Sequence, residues 1–329
     1  MRVYRLQRKG ISLDLQRDLT EPVSPLWEAW VAYLTQQAMG QPTYVIHDLR
    51  NGDGFVQVRY RPHQAAADVA FLAPVLGAGH TVANTWAALL DGACIDAAGR
   101  GIQRVFANLP EAGDEVEVFH QGGFTPYAGE DIYRLVPGQS SSAVEMPVGL
   151  RPQRPEDWPA IQKLCVAITP QRVRQAEGGI TAAMGRGKNQ RRYVLPEDGG
   201  GDLLATLDLY SGGMAHWLRM LVHPDARHVA ESLIKWGLDA LDDRSGRAVY
   251  CNVRQYESGV RVALEAAGFE PHTTRTLMVK HTVAWSKGLV PELVPALKGG
   301  AEPVPPAYRI NGEPEFQTSN RSWAAKHKA

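Results

Sequence analysis

Hydrophobic residues in the second half of the chain alternate between helix and strand spacing. Apolar residues three and four positions apart, each run opened by a proline, predict two helices. Strict alternation, as in LLATLDLY and HWLRMLV, predicts strands. The predicted order is a strand at 148–151, helices at 155–168 and 170–176, strands at 193–197, 203–210 and 215–222, a helix at 226–241, a strand at 248–253, a helix at 259–267 and a strand at 277–283.

The first half repeats this order from its middle onward. Its beginning differs: residues 1–6 are a candidate strand, residues 8–25 are predicted to be irregular, and a helix is predicted at 26–37. The later elements are strands at 43–47, 55–61 and 68–73, a helix at 82–98, a strand at 104–109, a helix at 114–121 and a strand at 130–136.

Three blocks of sequence recur in the same order in both halves. RVFANL at 104–109 matches AVYCNV at 248–253, a pairing that includes Asn108 and Asn252. LL at 89–90 matches LI at 233–234, and GGFTP at 122–126 matches AGFEP at 267–271. The offset is 144 residues for the first block (105 to 249) and 145 for the last (123 to 268). Since solenoid repeats have periods of only ~20–50 residues, the repeating unit is a whole domain and the chain is an internal duplication.

The duplication predicts the domain organisation. A length of ~150 residues is enough for each copy to bury its own core. The segment PGQSSSAVEMP is polar and small, which is typical of a linker. The predicted parts are an N-terminal domain at 1–137, a linker at 138–147, a C-terminal domain at 148–285 and a Pro/Gly-rich extension at 286–329.

Composition and charge narrow the partners. The 35 Lys and Arg residues balance 35 Asp and Glu residues, so neither nucleic acid nor an anionic membrane is an expected partner. No run approaches 18 apolar residues, and no apolar region follows the basic N-terminus, so we expect a cytoplasmic protein. The cysteines Cys94, Cys165 and Cys251 lack metal-ligand spacing and are expected to be reduced core residues, with no metal bound.

A Gly-rich basic loop at 179–192 contains the letters GRGK. The loop precedes a strand, and Ala182 and Asn189 stand where a nucleotide phosphate loop needs Gly and Ser or Thr. A phosphate loop is therefore excluded, whereas a solvated loop and a substrate lid both remain open.

The order strand, turn, helix, strand, helix, strand, with GF after the second helix, resembles the core of the GNAT superfamily of acyl-CoA-dependent N-acyltransferases. GLRPQRPEDWPAIQKL at 149–164 resembles the family's opening strand and helix, LRMLVHPDAR at 218–227 its central strand and turn, and GF at 268–269 and 123–124 its closing motif. The resemblance covers 148–283 well and 43–136 more weakly. It implies an α/β (α+β) fold class with two tandem GNAT-like domains, each a mixed, mostly antiparallel central sheet flanked by helices.

The resemblance also implies a cofactor site for acetyl-CoA, the acyl donor. In the family, the central strand pairs with the pantetheine amides, and the pyrophosphate binds unpaired N–H groups at the next helix N-terminus. The implied residues here are Leu221, Val222, Arg227, His228, Val229, Ala230 and Asn252.

Both turns depart from the family pattern Gln/Arg-x-x-Gly-x-Gly/Ala. In PDARHVAES, either Arg227 leads and Ala230 and Ser232 replace glycines, or the helix is registered on Val229 and the turn is about two residues short. In the first half, PVLGAGHTVANTW has glycines at 77 and 79 but no leading Arg or Gln, and a simple strand-to-helix loop explains it equally well.

The catalytic residues depart from the family as well. The tyrosine that many members place four residues before the Gly of GF is Phe119 in the first half and Leu264 in the second. Asp208 and His216 are candidates for the general base, and Tyr256 is a candidate for the acid that protonates the leaving thiolate. Each of the three also fits a packing role.

Two functions remain open on the sequence. The first is an acyl-CoA-dependent N-acyltransferase, in the simplest case transferring acetyl to a small-molecule or peptide amine, with activity confined to the C-terminal domain. The second is a non-catalytic acyl-CoA or small-molecule binder or scaffold. In either case we expect a monomeric pseudo-dimer or a homodimer.

Overall fold

The structure is a computed structural model that describes residues 6–22, 24–35, 41–48, 52–62, 64–77, 80–137, 145–178, 189–197, 199, 201–241 and 246–282. The strands are β1 (Ile11–Ser12), β2 (Thr43–Asp48), β3 (Gly52–Tyr60), β4 (Ala66–Ala73), β5 (Arg104–Pro110), β6 (Thr125–Leu135), β7 (Arg151–Pro152), β8 (Gln190–Pro196), β9 (Leu203–Ser211), β10 (His216–Val222), β11 (Val249–Arg254) and β12 (Glu270–His281). The α-helices are α1 (Leu15–Thr20), α2 (Pro25–Leu34), α3 (His80–Gly99), α4 (Glu115–Gln121), α5 (Trp158–Ile168), α6 (Gln171–Glu177), α7 (Ala230–Ala240) and α8 (Ser258–Ala266).

Both halves of the chain contribute to one sheet, whose 12 described strands include β1 beside β4 and otherwise run β2-β3-β4-β5-β12-β6-β11-β10-β9-β8-β7. The last strand of each half is exchanged: β12 pairs with β5 and β6, and β6 pairs with β11 and β12. Among the described strands, β4–β5 and β10–β11 are the parallel pairs, and the other neighbours are antiparallel. The predicted fold class is confirmed, and the exchange unites the halves in one compact unit, Met1–Trp285.

Helices cover both faces of this sheet. On one face, α3 and α4 build an apolar core on the N-terminal half that includes Trp86 and Phe119. On the same face, α7 and α8 build a core on the C-terminal half that includes Leu233 and Leu264. Each half therefore buries its own apolar stripe, as amphipathic helices on a sheet must.

The opposite face of the sheet carries α1, α5 and α6, and here helices cross between the halves. Leu15 of α1 packs beside Trp217 and Tyr250 of the C-terminal half. In return, Ala176 of α6 packs beside Phe106 of the N-terminal half. This face is therefore assembled from both copies of the duplication.

Most predicted elements are confirmed with shifted ends. Gly178 ends α6 with φ +74°, the left-handed conformation that glycine favours at this position. β12 begins at Glu270 instead of the predicted residue 277, because β6 pairs with its polar first part and β5 joins from Arg275. The helix predicted from residue 226 starts as a 3-10 helix, Pro224–Val229, and becomes α-helical at Ala230.

The prediction that residues 8–25 are irregular is wrong. They contain the end of a 3-10 helix, Gln7–Lys9, followed by β1 and α1. Contacts with distant residues stabilise these short elements: Leu13 is 3% exposed in the N-terminal core, and Asp14 forms an ion pair with Arg59. Elements this short are below the length at which periodicity is informative.

Several predicted features lie partly or wholly outside the described residues, and the domain boundaries therefore stay predictions. These features are most of the candidate strand at 1–6, most of the linker at 138–147, the basic loop at 179–188, the second glycine of the first-half turn at 79, and the extension at 286–329.

Candidate active site

In the C-terminal half, two neighbouring parallel strands separate along their length. β10 and β11 pair as far as Leu218 and Cys251. β10 continues to Val222, paired with β9 along its whole length. Backbone groups of successive residues point to opposite sides of a strand, and the N–H of His216 points to β11. The groups of Met220 and Val222 therefore point into the opening between the two strands.

The equivalent opening in the N-terminal half is filled by the chain itself. β4 and β5 pair as far as Asp68 and Phe106. β1 lies antiparallel against the remainder of β4, and the Leu13 N–H donates to the Ala70 carbonyl at 2.9 Å. The backbone edge that is open on β10 is therefore covered on β4.

The turn after β10 presents two exposed basic side chains beside a helix start. Arg227 and His228 are exposed on the 3-10 helix, Val229 is half-buried, and Ala230 is fully buried at the start of α7. The Ala230 N–H donates to the Arg227 carbonyl, so the turn itself uses one of the N–H groups at the helix start. The dipole of α7 still favours an anion at this end.

A cavity of about 690 Å³ lies on the face that carries α1 and α6. It extends from β3 to β10, and its C-terminal wall includes Trp217 and Arg219 of β10 with Asn252 and Arg254 of β11. Because Arg219 and Asn252 directly follow the last paired residues of their strands, the cavity adjoins the C-terminal opening. Its charged lining residues are Asp14, Arg59, Arg61, Asp68, Glu130, Glu177, Arg219 and Arg254.

Glu130 of β6 is the centre of a buried polar network between the halves. Its Oε1 accepts from Asn252 Nδ2 at 2.8 Å, and its Oε2 accepts from Asn108 Nδ2 at 3.4 Å. The Nε atom of Arg254 lies 3.4 Å from Oε1. Arg275 Nε donates to Asn108 Oδ1 at 2.8 Å, and burial lowers the pKa of Arg275 to about 10. Asn108 and Asn252, which are equivalent in the repeat, thus both donate to the carboxylate of Glu130.

Two arginines on the C-terminal wall of the cavity have donors without a hydrogen-bond partner among the described residues. Arg254 Nη2 lies 3.1 Å from Glu177 Oε1. Burial opposes the positive charge of Arg254, but the negative charges of Glu130 and Glu177 raise the pKa of Arg254 above its usual value. The Nη1 atom of Arg254 is buried and has no hydrogen-bond partner. Within the described part of the chain, the guanidinium of Arg219 forms neither a hydrogen bond nor an ion pair.

Two carboxyl groups lie within electrostatic reach of Arg219. Burial raises the pKa of Asp208, although Arg192 and Arg219 oppose the shift. Burial also raises the pKa of Glu257, opposed mainly by Arg219. Buried carboxyl groups with shifted pKa values beside a cleft are candidates for acid–base roles.

Solved structures share this architecture. The GCN5-related N-acetyltransferase from Sphaerobacter thermophilus matches with a TM-score of 0.54 and 16% identity, over 84% of this chain and 91% of that chain. This chain has the fold of the GCN5-related N-acetyltransferases. A tandem GNAT protein from the clavulanic acid biosynthesis pathway matches with a TM-score of 0.47 and 14% identity, over 82% of this chain and 93% of that one. The corresponding values for a GCN5-related N-acetyltransferase from Kribbella flavida are 0.47, 12%, 78% and 94%.

In contrast to the structural comparison, the sequence comparisons find no match: neither a protein-family model nor a curated protein matches the chain. Among the described helices, none is both long and apolar enough to cross a membrane.

The GNAT fold places the three predicted catalytic residues in different surroundings. Asp208 of β9 lies opposite Arg219 in the strand register and shares its face of the sheet. Tyr256 follows β11; burial raises its pKa to about 12, and its hydroxyl hydrogen-bonds Thr169. His216 is fully buried, and strand alternation directs it to the opposite face, beneath α7 and α8. The cavity face therefore collects Asp208 and Tyr256 but not His216, and the catalytic roles stay predictions.

The predicted cofactor residues divide between the opening and the polar network. Leu221 and Val222 end β10 beside the opening, each 8% exposed. The side chain of Asn252 is already engaged, because it donates to Glu130 and accepts from Trp217 Nε1 at 2.9 Å. In the GNAT fold of this chain, Asn252 therefore lines the cavity as part of a fixed network.

Five polar residues of this site are absent from the sequence-based predictions: Glu130, Glu177, Arg219, Arg254 and Glu257. Two of them carried a usable signal. Arg219 interrupts the apolar strand HWLRMLV, and Arg254 follows directly on the repeated block AVYCNV. A charge in a strand that must be buried is costly unless it is paired or functional, so such interruptions indicate a site.

Proposed function

We propose that the protein is an acyl-CoA-dependent N-acyltransferase with one active site, in the C-terminal half. Its fold is that of the GCN5-related N-acetyltransferases. The observation that carries the proposal is the contrast between the two openings of the sheet. β1 covers the edge of β4, whereas none of the described strands covers the equivalent edge of β10, which adjoins a polar cavity. The simplest reaction is acetyl transfer from acetyl-CoA to a small-molecule or peptide amine.

The residues around the C-terminal opening fit an acyl-CoA. The backbone groups of Met220 and Val222 point into the opening and would pair with the pantetheine amides. Arg227 and His228 are exposed beside the start of α7 and would attract the pyrophosphate. The bound cofactor would supply an acyl group as a thioester, whose carbonyl carbon an amine can attack.

The side chains of the chain itself would manage the proton of the amine. An amine attacks only when neutral, so a base must accept its proton directly or through water. Asp208 and Glu257 are suited to this role, because burial raises the pKa of both carboxyl groups near Arg219. Tyr256 retains its proton at neutral pH, since burial raises its pKa to about 12, and its hydroxyl is the candidate donor to the leaving thiolate.

A second candidate function is non-catalytic binding of an acyl-CoA or another small molecule. It is favoured by the two positions at which the GNAT resemblance leads one to expect a tyrosine. Phe119 and Leu264 are both 0% exposed, within the apolar cores of the two halves. Neither half therefore carries a proton donor at that position.

Calorimetric titration with acetyl-CoA tests the proposal, and we expect one site per chain. The double variant Arg227→Glu, His228→Glu should bind about tenfold more weakly, because it reverses the charge beside the helix dipole. Lys235→Glu is the matched control, since Lys235 is also an exposed base on α7 but lies further from its N-terminus, and we expect wild-type affinity.

Three outcomes separate the alternatives. Failure of acetyl-CoA to bind at millimolar concentration refutes the proposed cofactor, and two sites per chain refute the confinement to one half. Release of free thiol in the presence of an amine supports the enzyme. Binding without thiol release across a broad panel of amines favours the non-catalytic function.

A further inference from the structure

We propose that the cavity selects an acceptor that carries a carboxylate as well as an amine, and that Arg219 and Arg254 bind this carboxylate. The substrate class is therefore a small zwitterionic amino acid. This inference rests on the proposed function, because it names the acceptor of that same site.

The charges that line the cavity favour a ligand without net charge. Four arginines and four carboxylates contribute to the lining. At the N-terminal end of the cavity the charges neutralise each other. Arg59 forms an ion pair with Asp14. Arg61 donates to both carboxylate oxygens of Asp68, from Nη2 to Oδ1 at 2.6 Å and from Nε to Oδ2 at 3.0 Å. Because the two signs of charge are equal in number, a dianionic phosphate would leave excess negative charge in the cavity, and a simple amine would leave excess positive charge. A zwitterion matches both sets of charges.

At the C-terminal end, the pairing is incomplete. Nη1 of Arg254 is buried without a partner, although Nη2 of the same group contacts Glu177. Arg219 lines the same wall, and no hydrogen bond or ion pair within the described part of the chain engages its guanidinium. A buried donor without an acceptor is rare in folded proteins and indicates a missing partner. A carboxylate is the natural one, since its two oxygens match the donors of a guanidinium.

The groups nearest to Arg219 do not remove this requirement. Asp208 and Glu257 are within electrostatic reach of it, yet burial raises the pKa of both and so favours their neutral forms. Asp208 also has Arg192 3.8 Å away, and Glu257 accepts the backbone N–H of Arg254 at 3.1 Å. Both carboxyl groups thus have other partners.

The same wall offers a partner for the ammonium group. Glu177 retains 25% side-chain exposure at the cavity while its Oε1 accepts from the Tyr127 hydroxyl at 3.3 Å and contacts Arg254. Because Arg254 and Glu177 are in contact, opposite charges lie side by side, at a spacing that the two ends of one amino acid can bridge.

Binding can be measured without any acyl-CoA. The full-length protein is titrated calorimetrically with the 20 common amino acids, β-alanine and γ-aminobutyrate (about 10 mM at most, the range of weak binding). Each amino acid that binds is compared with the amine that lacks its carboxylate, for example γ-aminobutyrate with propylamine or phenylalanine with phenethylamine. We expect at least one amino acid to bind, and its decarboxylated partner to bind about 10- to 100-fold more weakly, as expected from losing hydrogen bonds to a charged group.

Variants then test which residues bind the carboxylate. Arg219→Gln removes a half-buried charge that no described residue pairs with, and the variant should fold normally. It should weaken amino-acid binding about tenfold and leave binding of the decarboxylated amine unaffected. Arg254→Lys retains the positive charge that pairs with Glu130 and Glu177 but loses the planar guanidinium group, and it should also weaken amino-acid binding. Arg261→Gln is the control, because Arg261 pairs with Asp131 away from the cavity lining.

The outcomes distinguish this inference from the proposed function. Amino-acid binding without any acetyl-CoA binding would refute the proposed function and support the proposed amino-acid site. Thiol release that is equally fast with decarboxylated amines would keep the enzyme and overturn the inference. Binding of none of the amino acids, or unchanged binding in Arg219→Gln, overturns it as well.

Discussion

Gly10 decides whether the N-terminal segment can lie against β4. A Cβ atom at this position would stand 2.6 Å from the carbonyl oxygen of Leu72 and would overlap the ring of Phe71. The Leu72 carbonyl cannot retreat freely, because β4 is held by β3 on its other side. We therefore expect Gly10→Val to release residues 9–13 from β4 and to expose the opening of the N-terminal half.

The size of the effect is limited by what the segment contributes. Release breaks the hydrogen bonds Leu13 N–H to Ala70 O (2.9 Å) and Val75 N–H to Lys9 O (2.6 Å), each worth about 1 kcal/mol. It also exposes the buried side chain of Leu13, worth about 1.5–3 kcal/mol. The released backbone regains conformational freedom, which offsets part of this loss. We expect the free energy of unfolding to fall by about 2–4 kcal/mol.

Urea denaturation measures the loss of stability, and hydrogen exchange with mass spectrometry locates it. In Gly10→Val, amides in peptides covering 9–13 and 70–75 should exchange faster, whereas those of β9 and β10 should not change. Gly77→Val is the control, because a Cβ at exposed Gly77 meets no atom within 4 Å. Wild-type stability and protection in Gly10→Val would refute the contact between the N-terminal segment and β4.

Two further predictions concern buried carboxyl groups. Glu130→Ala leaves Arg254 without one of its two carboxylate partners in the network between the halves, and should lower the free energy of unfolding by about 3–5 kcal/mol in urea denaturation. The control is Glu117→Ala, an exposed position that should cost at most about 0.5 kcal/mol. Equal losses in the two variants would contradict the network. For Asp208, the folded-state pKa lies above the unfolded value of 3.8, so ionisation opposes folding and the wild type loses stability as pH rises from 3.8 through the folded pKa. Asp208→Asn should therefore gain stability relative to wild type as the pH rises above 3.8, and a difference that does not change with pH would argue against the raised pKa.

The sequence was informative wherever a pattern is local. The strands around LLATLDLY and HWLRMLV and the helix ended by Gly178 were predicted because side-chain periodicity and glycine conformation act within a few residues. The segment at 8–25 was mispredicted, because β1 and α1 owe their stability to residues far along the chain. At the candidate site, the predicted residues Asp208 and Arg227 lie near the opening and their roles stay predictions, whereas Arg219 and Arg254 were not foreseen.

The two repeated asparagines were identified from the sequence, but their hydrogen-bond partner was not. Asn108 and Asn252 were recognised as equivalent because they occupy one position of a repeated block. That both donate to the two oxygens of Glu130 could not be predicted, because Glu130 has no acidic counterpart in the second half. At the 145-residue offset the matching residue is Arg275 (130 to 275), which lies beside Glu130 in the sheet and contacts Asn108. The duplication thus diverged into one asymmetric ion network.

The sequence by itself determined the duplication, the order of the elements in each half and the resemblance to the GNAT fold, since all three are encoded in local spacing and in similarity between two stretches of one chain. Only the tertiary structure decided that β6 and β12 are exchanged, that β1 fills one of two equivalent openings, and that charges from both halves meet in one cavity. These features depend on pairing between segments more than a hundred residues apart or on a short edge segment with no periodic signal. Their energies come from register and burial, which no local pattern specifies.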